Sequence, residues 1–180
     1  MENHMSLAYQ EHYNVEDYRC WDGDWELIEG MPYAMTPSPF YDHQHINGKI
    51  FRQLDEQLDG CSKCYAVIEM DVMLAEDTVV RPDTMVICYE PDKKLTKAPN
   101  IVFEVISKST SRKDEILKFD LYQSEGVEYY ILVYPEEKKA KLYKLIDFKY
   151  RKIGDFSNES YRFDLKDCDI NFDFNFIWRK

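Results

Sequence analysis

One acidic residue of the sequence stands inside an apolar segment. Glu104 interrupts the run Ile101–Ser107, whose other residues up to position 106 are Ile, Val and Phe. With the two-residue alternation of a β-strand, Glu104 shares a face with Val102 and Ile106. An unpaired carboxylate there would be costly or would stay protonated, so Glu104 needs a cation, a metal ion or a cluster of donors. A buried ion pair with Arg or Lys is the alternative to a metal ligand.

A second carboxylate stands at the start of the preceding strand. Asp83 follows Arg81 and Pro82, and a proline cannot donate to a sheet ladder, which indicates a strand start or an edge. If the two strands are neighbours, Asp83 and Glu104 can offer one divalent cation the oxygen ligands that Mg²⁺ prefers. Considered alone, Asp83 would be interpreted as a solvated turn carboxylate.

A lysine follows these acids at helical spacing. At about 100° per residue, Lys118 lies about 40° from Asp114 on a helix. The two residues fall within the apolar arc formed by Leu117, Leu121 and Tyr122. Alternatively, Ile116 and Phe119 mark the buried face, and Asp114 and Lys118 form an exposed i,i+4 pair. Because lysine is seldom buried without an anionic partner, we favour an inward-pointing Lys118 beside an acid.

The surrounding patterns predict the elements that position these residues. They are a hairpin about Glu29-Gly30, a helix over 42–58, strands over 65–74, 83–89 and 101–107, a helix from Ser111 to about Glu125, strands over 127–134 and 139–145, and aromatic-rich segments towards Trp178. This order predicts an α/β fold with a mixed β-sheet flanked by helices, an N-terminal β-hairpin and extra C-terminal strands. Since no linker divides the chain, we expect one domain over residues 1–180.

The charge of the chain limits its partners. There are 34 acidic and 23 basic residues, for a net charge of −11, and residues 1–92 hold 19 of the acids and only 5 of the bases. Long-range attraction to a polyanion is therefore absent, and any contact with nucleic acid needs a metal ion or a local basic strip. Basic residues that either touch phosphates or only solubilise the surface are Lys93, Lys94, Lys97, Lys108, Arg112 and Lys113.

The cysteine count and the short length of the apolar runs indicate where in the cell the protein resides. No run reaches the roughly 18 apolar residues that span a bilayer, and the start of the chain has no signal-peptide pattern, so we expect a cytoplasmic protein with no membrane partner. The five cysteines are an odd number, which suits a reducing compartment, and we assume no disulfides. Cys61 and Cys64 form an isolated C-x-x-C pair, which we interpret as a loop coincidence rather than a zinc site.

Several stretches of the chain occur in a distinctive order and spacing. These are Trp25–Gly30, Thr36–Pro39 with His43, Arg81–Asp83, Ala98–Ser107 with Ser109-Thr110, the series Asp114, Lys118 and Tyr122, and Gly126–Tyr130. Through these stretches, residues 18–143 resemble the Uma-two family of bacterial endonuclease-like proteins, within the PD-(D/E)XK nuclease superfamily.

The resemblance implies a restriction-endonuclease-like fold with a Mg²⁺ site, in which Mn²⁺ can replace Mg²⁺. The metal ligands would be Asp83, Glu104 and Val105, and DNA would be the substrate. The superfamily lysine is absent from its usual strand position, which Ile106 occupies, and Lys118 is its natural replacement. In the implied reaction, the metal ion and Lys118 position a water for attack on a phosphodiester.

Two further residues are candidates for the catalytic site. His43 precedes Ile46 by one turn at the start of a helix, where the alternative is a cap or a solvated histidine. Glu26 belongs to a matching stretch, and its alternative is a surface acid of the hairpin. We make no choice for Glu69 and Asp71, which stand near the metal or on an exposed edge.

Two other functions remain open at this point. The same fold could bind nucleic acid or protein without cleaving it, an alternative that the acidic first half of the chain favours. A pair of carboxylates could also hydrolyse a sugar, although a buried lysine has no obvious task in that reaction. A homodimer is expected by analogy with enzymes that use two sites to cut two strands.

Overall fold

The computed structural model describes residues 11–35, 40–107, 111–166 and 168–179. Three segments named above, Thr36–Pro39, Lys108 and Ser109-Thr110, lie outside the described residues. The helical elements are α1 (Val15–Tyr18), α2 (Tyr41–Leu58), a π-helical turn (Lys113–Leu117), α3 (Lys118–Ser124) and α4 (Phe174–Ile177). The strands are β1 (Trp25–Ile28), β2 (Met31–Ala34), β3 (Tyr65–Ile68), β4 (Val72–Ala75), β5 (Thr78–Val80), β6 (Thr84–Ile87), β7 (Ile101–Val105), β8 (Tyr129–Tyr134), β9 (Lys139–Ile146), β10 (Lys149–Phe156), β11 (Ser160–Leu165) and β12 (Cys168–Asp173).

The strands form a mixed α/β fold with three sheets. The central sheet has six strands in the order β10-β9-β8-β7-β6-β3, a second sheet has the order β2-β1-β5-β4, and β11 and β12 form a separate hairpin. In the central sheet β7 and β8 are parallel, and the other pairs are antiparallel. A parallel pair needs a crossover connection, and the π-helical turn with α3 supplies it. The predicted mixed α/β fold is confirmed.

Strand β7 is buried on both faces, which explains its near-continuous apolar sequence. On one face Phe103 and Val105 pack in a cluster with the apolar side of α2 and with the β11–β12 hairpin. On the other face Val102 and Ile106 pack in a cluster with residues of α3. Glu104 shares this second face, as the two-residue alternation predicted, and is therefore directed towards α3.

The predicted N-terminal hairpin and the long helix are present. The turn between β1 and β2 places Glu29 at φ 50° and Gly30 at φ 74°, the positive values that two-residue hairpin turns require. The helix predicted over 42–58 is α2, which begins one residue earlier. Among the described residues, no helix combines the length and the apolar character that crossing a membrane would require.

One predicted strand is in fact two strands. The segment 65–74 breaks at Glu69, which has φ 47°, so that β3 joins the central sheet and β4 joins the second sheet. The left-handed conformation turns the chain between the sheets, and the alternation of apolar residues continues across the break, which is why the pattern concealed it. The short elements α1 and β5 were not predicted from the sequence.

The cysteines are arranged differently from the expectation. We assumed no disulfides, but the structure pairs Cys61 with Cys168 and Cys64 with Cys88 as disulfides, while Cys20 is exposed and free. The C-x-x-C pair is therefore not isolated in space, although its partners Cys88 and Cys168 are distant in the sequence.

The exposed face of α2 offers a test of the helix. A methyl group on Gly48 would meet no atom within 4 Å, so Gly48→Ala should stabilise the protein by about 1 kcal/mol through helix propensity. At Gly126 the added methyl group also meets nothing within 4 Å, but φ is 80°, so Gly126→Ala should be destabilising. Chemical denaturation of both variants measures the two changes. A loss of stability for Gly48→Ala would contradict this description of α2.

Candidate functional site

A buried lysine lies at the centre of a cluster of carboxylates. The Nζ atom of Lys118 is 2.8 Å from Glu26 Oε1 and 2.8 Å from Glu104 Oε1. It is also 3.7 Å from Asp114 Oδ1. These four residues come from β1, β7, the π-helical turn and the start of α3, and all four are buried. The inward-pointing Lys118 is therefore confirmed, and the exposed i,i+4 pair is excluded.

A π-helical turn lies between Asp114 and Lys118. The N–H of Lys118 donates to the carbonyl of Lys113, five residues earlier, instead of four residues earlier as in an α-helix. The extra residue per turn rotates Leu117 out of the buried arc, and its exposure is 37%. The regular-helix spacing predicted that Leu117 would be buried, and this part of the prediction is wrong.

Glu104 has different surroundings at its two oxygens. Its Oε1 accepts hydrogen bonds from Lys118 and, at 3.2 Å, from the hydroxyl of Tyr122. Its Oε2 has only a long contact of 3.4 Å with the main-chain N–H of Asp83 among the described residues. The second oxygen therefore faces Asp83 with most of its acceptor capacity unused.

Asp83 is held just before β6 by contacts from three elements. Its Oδ2 accepts a hydrogen bond of 2.7 Å from the main-chain N–H of Val105 and lies 3.2 Å from Nε2 of His43 on α2. Its carbonyl accepts from the N–H of Glu69 and the side-chain amide of Asn47, each at 3.2 Å. Asp83 and Glu104 are therefore neighbours on adjacent strands, as the sequence predicted.

The side chain of Val105 belongs to the apolar core, so this residue reaches the site only through its main chain. Its N–H donates to Asp83, and its carbonyl oxygen is the main-chain atom that could serve as a metal ligand. His43 is likewise brought into the site, on the side of Asp83 that faces α2. The Nδ1 atom of His43 is buried and has no partner among the described residues.

Glu26 is fully buried and is not a surface acid of the hairpin. It accepts from the ammonium groups of Lys118 and Lys113, and the main-chain N–H of Arg81 donates to its Oε1 at 2.9 Å. Lys113, considered above as a surface or phosphate-contacting residue, is thus largely occupied inside the cluster.

The cluster shifts the pKa values of its members in a consistent pattern. Burial alone would raise the pKa of Glu26, but the charges of Lys118 and Lys113 lower it below its ordinary value. The pKa of Glu104 is well above its ordinary value because of burial, since the opposing effect of Lys118 is reduced by the charges of Asp114, Asp83 and Glu26.

The pKa values of Lys118 and His43 are both raised. Burial would lower the pKa of Lys118, yet the adjacent Glu104 and Glu26 raise it well above its usual range. Burial would also lower the pKa of His43, but its hydrogen bond to Asp83 and the charge of that group raise it. Lys118 is therefore an ammonium ion at neutral pH.

The donor set of the cluster fits a hard divalent cation. Asp83, Glu104 and the Val105 carbonyl offer only oxygen atoms, the ligands that Mg²⁺ and Mn²⁺ prefer. Among the described residues, the carboxylates of Glu26, Asp83, Glu104 and Asp114 outnumber the ammonium groups of Lys113 and Lys118, so these side chains together carry an excess of negative charge. A cation beside Asp83 and Glu104 would reduce this excess.

Glu69 and Asp71 separate into different environments. Glu69 accepts a hydrogen bond from the side chain of Gln44 on α2, at 3.0 Å, so it lies on the side of the site where His43 stands. Asp71 binds Arg81, at 2.7 Å, and the hydroxyl of Tyr18, at 2.9 Å. Neither residue directly contacts Lys118. Glu69 binds the carbonyl of Asp83 through its N–H, and Asp71 binds Arg81, two residues before Asp83.

Sequence reasoning missed three supporting residues of the site. Asp114 and Tyr122 stood within the predicted helical arc, but no role was assigned to them. Asn47 was not singled out, although a polar residue beside Ile46 and Ile50 on the apolar face of α2 is a usable signal. Asn47 accepts a hydrogen bond from Thr84 and donates to the carbonyl of Asp83, and so joins α2 to the start of β6.

The mixed sheet thus places two acids on neighbouring strands and a lysine on the crossover helix. Residues 15–161 match the family model of Uma2, described as "Putative restriction endonuclease", and the chain belongs to this family. It is similar to the crystal structure of a protein from Anabaena variabilis described as a putative nuclease of the DUF820 group. The two share 14% identity with a TM-score of 0.76, over 92% of this chain and 97% of the other. That likeness shows the fold, and no curated protein matches the chain.

The raised pKa of Glu104 predicts a pH-dependent effect of Glu104→Gln. Folded Glu104 binds a proton more tightly than the unfolded chain, where its pKa is about 4.3, so the metal-free wild type should lose stability as pH rises above that value. Glu104→Gln removes this dependence. Its stability relative to wild type should rise by at least about 1 kcal/mol between about pH 5 and about pH 8.

Denaturation in the presence of a chelator measures this difference. Glu125, an exposed acid at the end of α3, provides the control, because Glu125→Gln should follow the wild-type pH profile. A difference between Glu104→Gln and wild type that stays constant with pH would show that Glu104 is fully compensated without a bound cation.

Proposed function

We propose that this protein is a metal-dependent endonuclease that hydrolyses phosphodiester bonds in DNA. The observation that carries the proposal is the buried Lys118 ammonium, which contacts Glu104 at 2.8 Å while Glu104 faces Asp83 on the adjacent strand. Membership of a family described as restriction endonucleases supports the same reaction class. An acid pair with a neighbouring cation suits attack on a phosphate, because the phosphate and its transition state are anionic.

We propose that Asp83, Glu104 and the carbonyl of Val105 hold Mg²⁺, with Mn²⁺ able to replace it. When bound, the metal ion would act as a Lewis acid on the phosphate and would lower the pKa of a coordinated water. The protein groups have separate tasks. Lys118 would orient the attacking water and stabilise negative charge on the phosphate oxygens, since its raised pKa makes it a poor base at neutral pH.

Glu26 and His43 would act as positioning residues in this proposal. Glu26, with Lys113 on its other oxygen, fixes the Lys118 ammonium between two carboxylates. His43 and the N–H of Val105 hold one oxygen of Asp83, so that the other oxygen is directed away from them. These contacts order the site before substrate binds, which reduces the reorganisation needed during the reaction.

Cleavage assays on single- and double-stranded DNA test the proposal directly. With Mg²⁺ or Mn²⁺, wild type should cut, and Glu104→Gln and Lys118→Ala should each lose activity by about 10²-fold or more. A chelator should abolish wild-type activity, and added Mn²⁺ should restore it. Calorimetric titration of Mn²⁺ should show binding to wild type and weaker binding to Asp83→Asn.

Two matched variants control for general effects. Asp120→Asn changes an exposed acid on α3, and Lys149→Ala changes an exposed lysine at the start of β10. Both should cut at the wild-type rate. Equal cutting by wild type, Glu104→Gln and Lys118→Ala would contradict the assignment of the site, while binding of DNA without cleavage by any variant would support the non-catalytic alternative on the same fold.

A groove beside the site suggests where the DNA backbone would lie. It has a volume of about 420 Å³, and its lining includes the basic residues Arg19, Arg81, Lys93 and Lys94. Arg81 stands two positions before Asp83, so the groove adjoins the carboxylate cluster. Lys93 and Lys94 are exposed, in a segment held by the hydrogen bond from Met73 to the carbonyl of Leu95. The acids Glu69 and Asp71 also line the groove, and Asp71 binds Arg81, so Lys93 and Lys94 are the groups proposed to meet the phosphates.

The double substitution Lys93→Ala/Lys94→Ala tests this groove. Binding of DNA should weaken, and the slope of log affinity against log salt should fall by up to roughly 0.9 for each phosphate that the variant no longer neutralises. The turnover rate at saturating DNA should be unchanged, because neither lysine contacts the carboxylate cluster in the described structure. Fluorescence anisotropy at several salt concentrations measures the slope, with Lys149→Ala as the control. An unchanged slope would place the DNA elsewhere.

The partners and location remain part of the proposal. We propose a cytoplasmic protein that acts on DNA without a membrane partner. Cutting both strands of a duplex would call for two sites facing one another, which a homodimer would supply. Light scattering with and without DNA would show whether two chains assemble on the substrate.

A further inference from the structure

Four cysteines from distant parts of the chain meet near the C-terminal end of α2. Cys61 follows the end of α2, Cys64 precedes β3, Cys88 follows β6, and Cys168 begins β12. The sulfur atoms of Cys61, Cys64 and Cys168 all lie within 4.8 Å of one another. Cys88 is paired with Cys64 as a disulfide in the structure, so its sulfur adjoins the other three.

We propose that these four cysteines form a structural zinc site. A tetrahedral Zn²⁺ ion with four thiolates at about 2.3 Å places neighbouring sulfurs about 3.8 Å apart. The sulfurs of Cys61, Cys64 and Cys168 already lie within 4.8 Å of one another, and Cys88 would supply the fourth ligand. Cys61 and Cys64 have the C-x-x-C spacing that is frequent in zinc sites. Thiolates are soft ligands that select zinc over Mg²⁺, so this site differs in chemistry from the carboxylate cluster.

The main-chain positions permit the four thiolates to share one ion. Cys64 and Cys88 continue the antiparallel pairing of β3 and β6 beyond Tyr65 and Ile87, with Cα atoms 4.0 Å apart. The Cα atoms of Cys61 and Cys168 are 6.1 Å apart, although 107 positions separate the residues in the sequence. Cys64 and Cys168 are buried, and the other two are partly buried, as in a closed structural site.

The proposed site would join the C-terminal hairpin to the body of the fold. The β11–β12 hairpin packs on α2 but forms no ladder with the central sheet among the described residues. Zinc at this point would fix β12 to the end of α2 and to the edge formed by β3 and β6. The pairing of sulfurs also fits two disulfides, but the reducing cytoplasm proposed for this chain would keep the thiols reduced.

Metal and thiol analysis of the full chain tests the proposal. The protein is produced in zinc-supplemented medium and purified without added reductant or chelator. Elemental analysis should find about one zinc per chain, and denaturation with a chelator should release the five thiols that the sequence contains. A single thiol per chain without zinc would show two disulfides and overturn the proposal. Five thiols without zinc, or iron in place of zinc, would also overturn it.

Variants separate this site from the carboxylate cluster. Cys168→Ser should lose zinc, whereas Cys20→Ser, which changes the exposed cysteine, should retain it. Asp83→Asn should also retain zinc, even if it loses Mn²⁺ binding and cleavage. Because Cys168→Ser could fail to fold, replacement of zinc by Co²⁺ in wild type provides a second readout. The intense visible absorption of tetrahedral cobalt thiolate is expected, and its absence from a chain that binds Co²⁺ would contradict the four-cysteine ligand set.

Discussion

The arrangement of the site depends on one constraint, the need of the buried Lys118 ammonium for anionic partners. An ammonium ion in the protein interior is unstable unless carboxylates surround it, and here Glu26 and Glu104 each lie 2.8 Å away. These two carboxylates come from different sheets, so their shared cation fixes the second sheet against the central sheet. The contacts of Lys118 with Glu26 and Glu104 therefore hold the two sheets together and are also the contacts that the proposed chemistry would use.

Two local departures from regular structure accompany those contacts. The π-helical turn Lys113–Leu117 places both Asp114 and Lys118 on the buried side of the crossover helix. The left-handed conformation of Glu69 ends β3 and lets its N–H donate to the carbonyl of Asp83. Irregular backbone is frequent where side chains must converge at a functional site, because regular elements alone seldom supply the required directions.

The sequence contained enough information for the central elements and for the main residues of the site. Glu104 in an apolar strand and Lys118 on an apolar helical arc were recognisable because each breaks a strong local pattern. The break at Glu69 and the exposure of Leu117 were not predictable, since both follow from single backbone changes that leave the apolar pattern intact. The burial of Glu26 was also beyond local reasoning, because its partners Lys113 and Lys118 are about ninety positions away in the chain and reach it only after the sheets assemble.

The charge balance of the cluster bears on why such an arrangement persists in a folded protein. Lys113 compensates Glu26, Lys118 is shared between Glu26 and Glu104, and Asp83 is met by the ring of His43 among the described residues. Burial raises the pKa of Glu104, and the nearby charges of Asp114, Asp83 and Glu26 raise it further. A core built only for stability would replace such a group by an apolar residue, since a half-compensated buried carboxylate is costlier than a well-packed hydrocarbon side chain. A divalent cation bound as proposed would reduce that cost by supplying positive charge at the oxygen of Glu104 that faces Asp83, and this is the physical reason for proposing that the acids form a binding site.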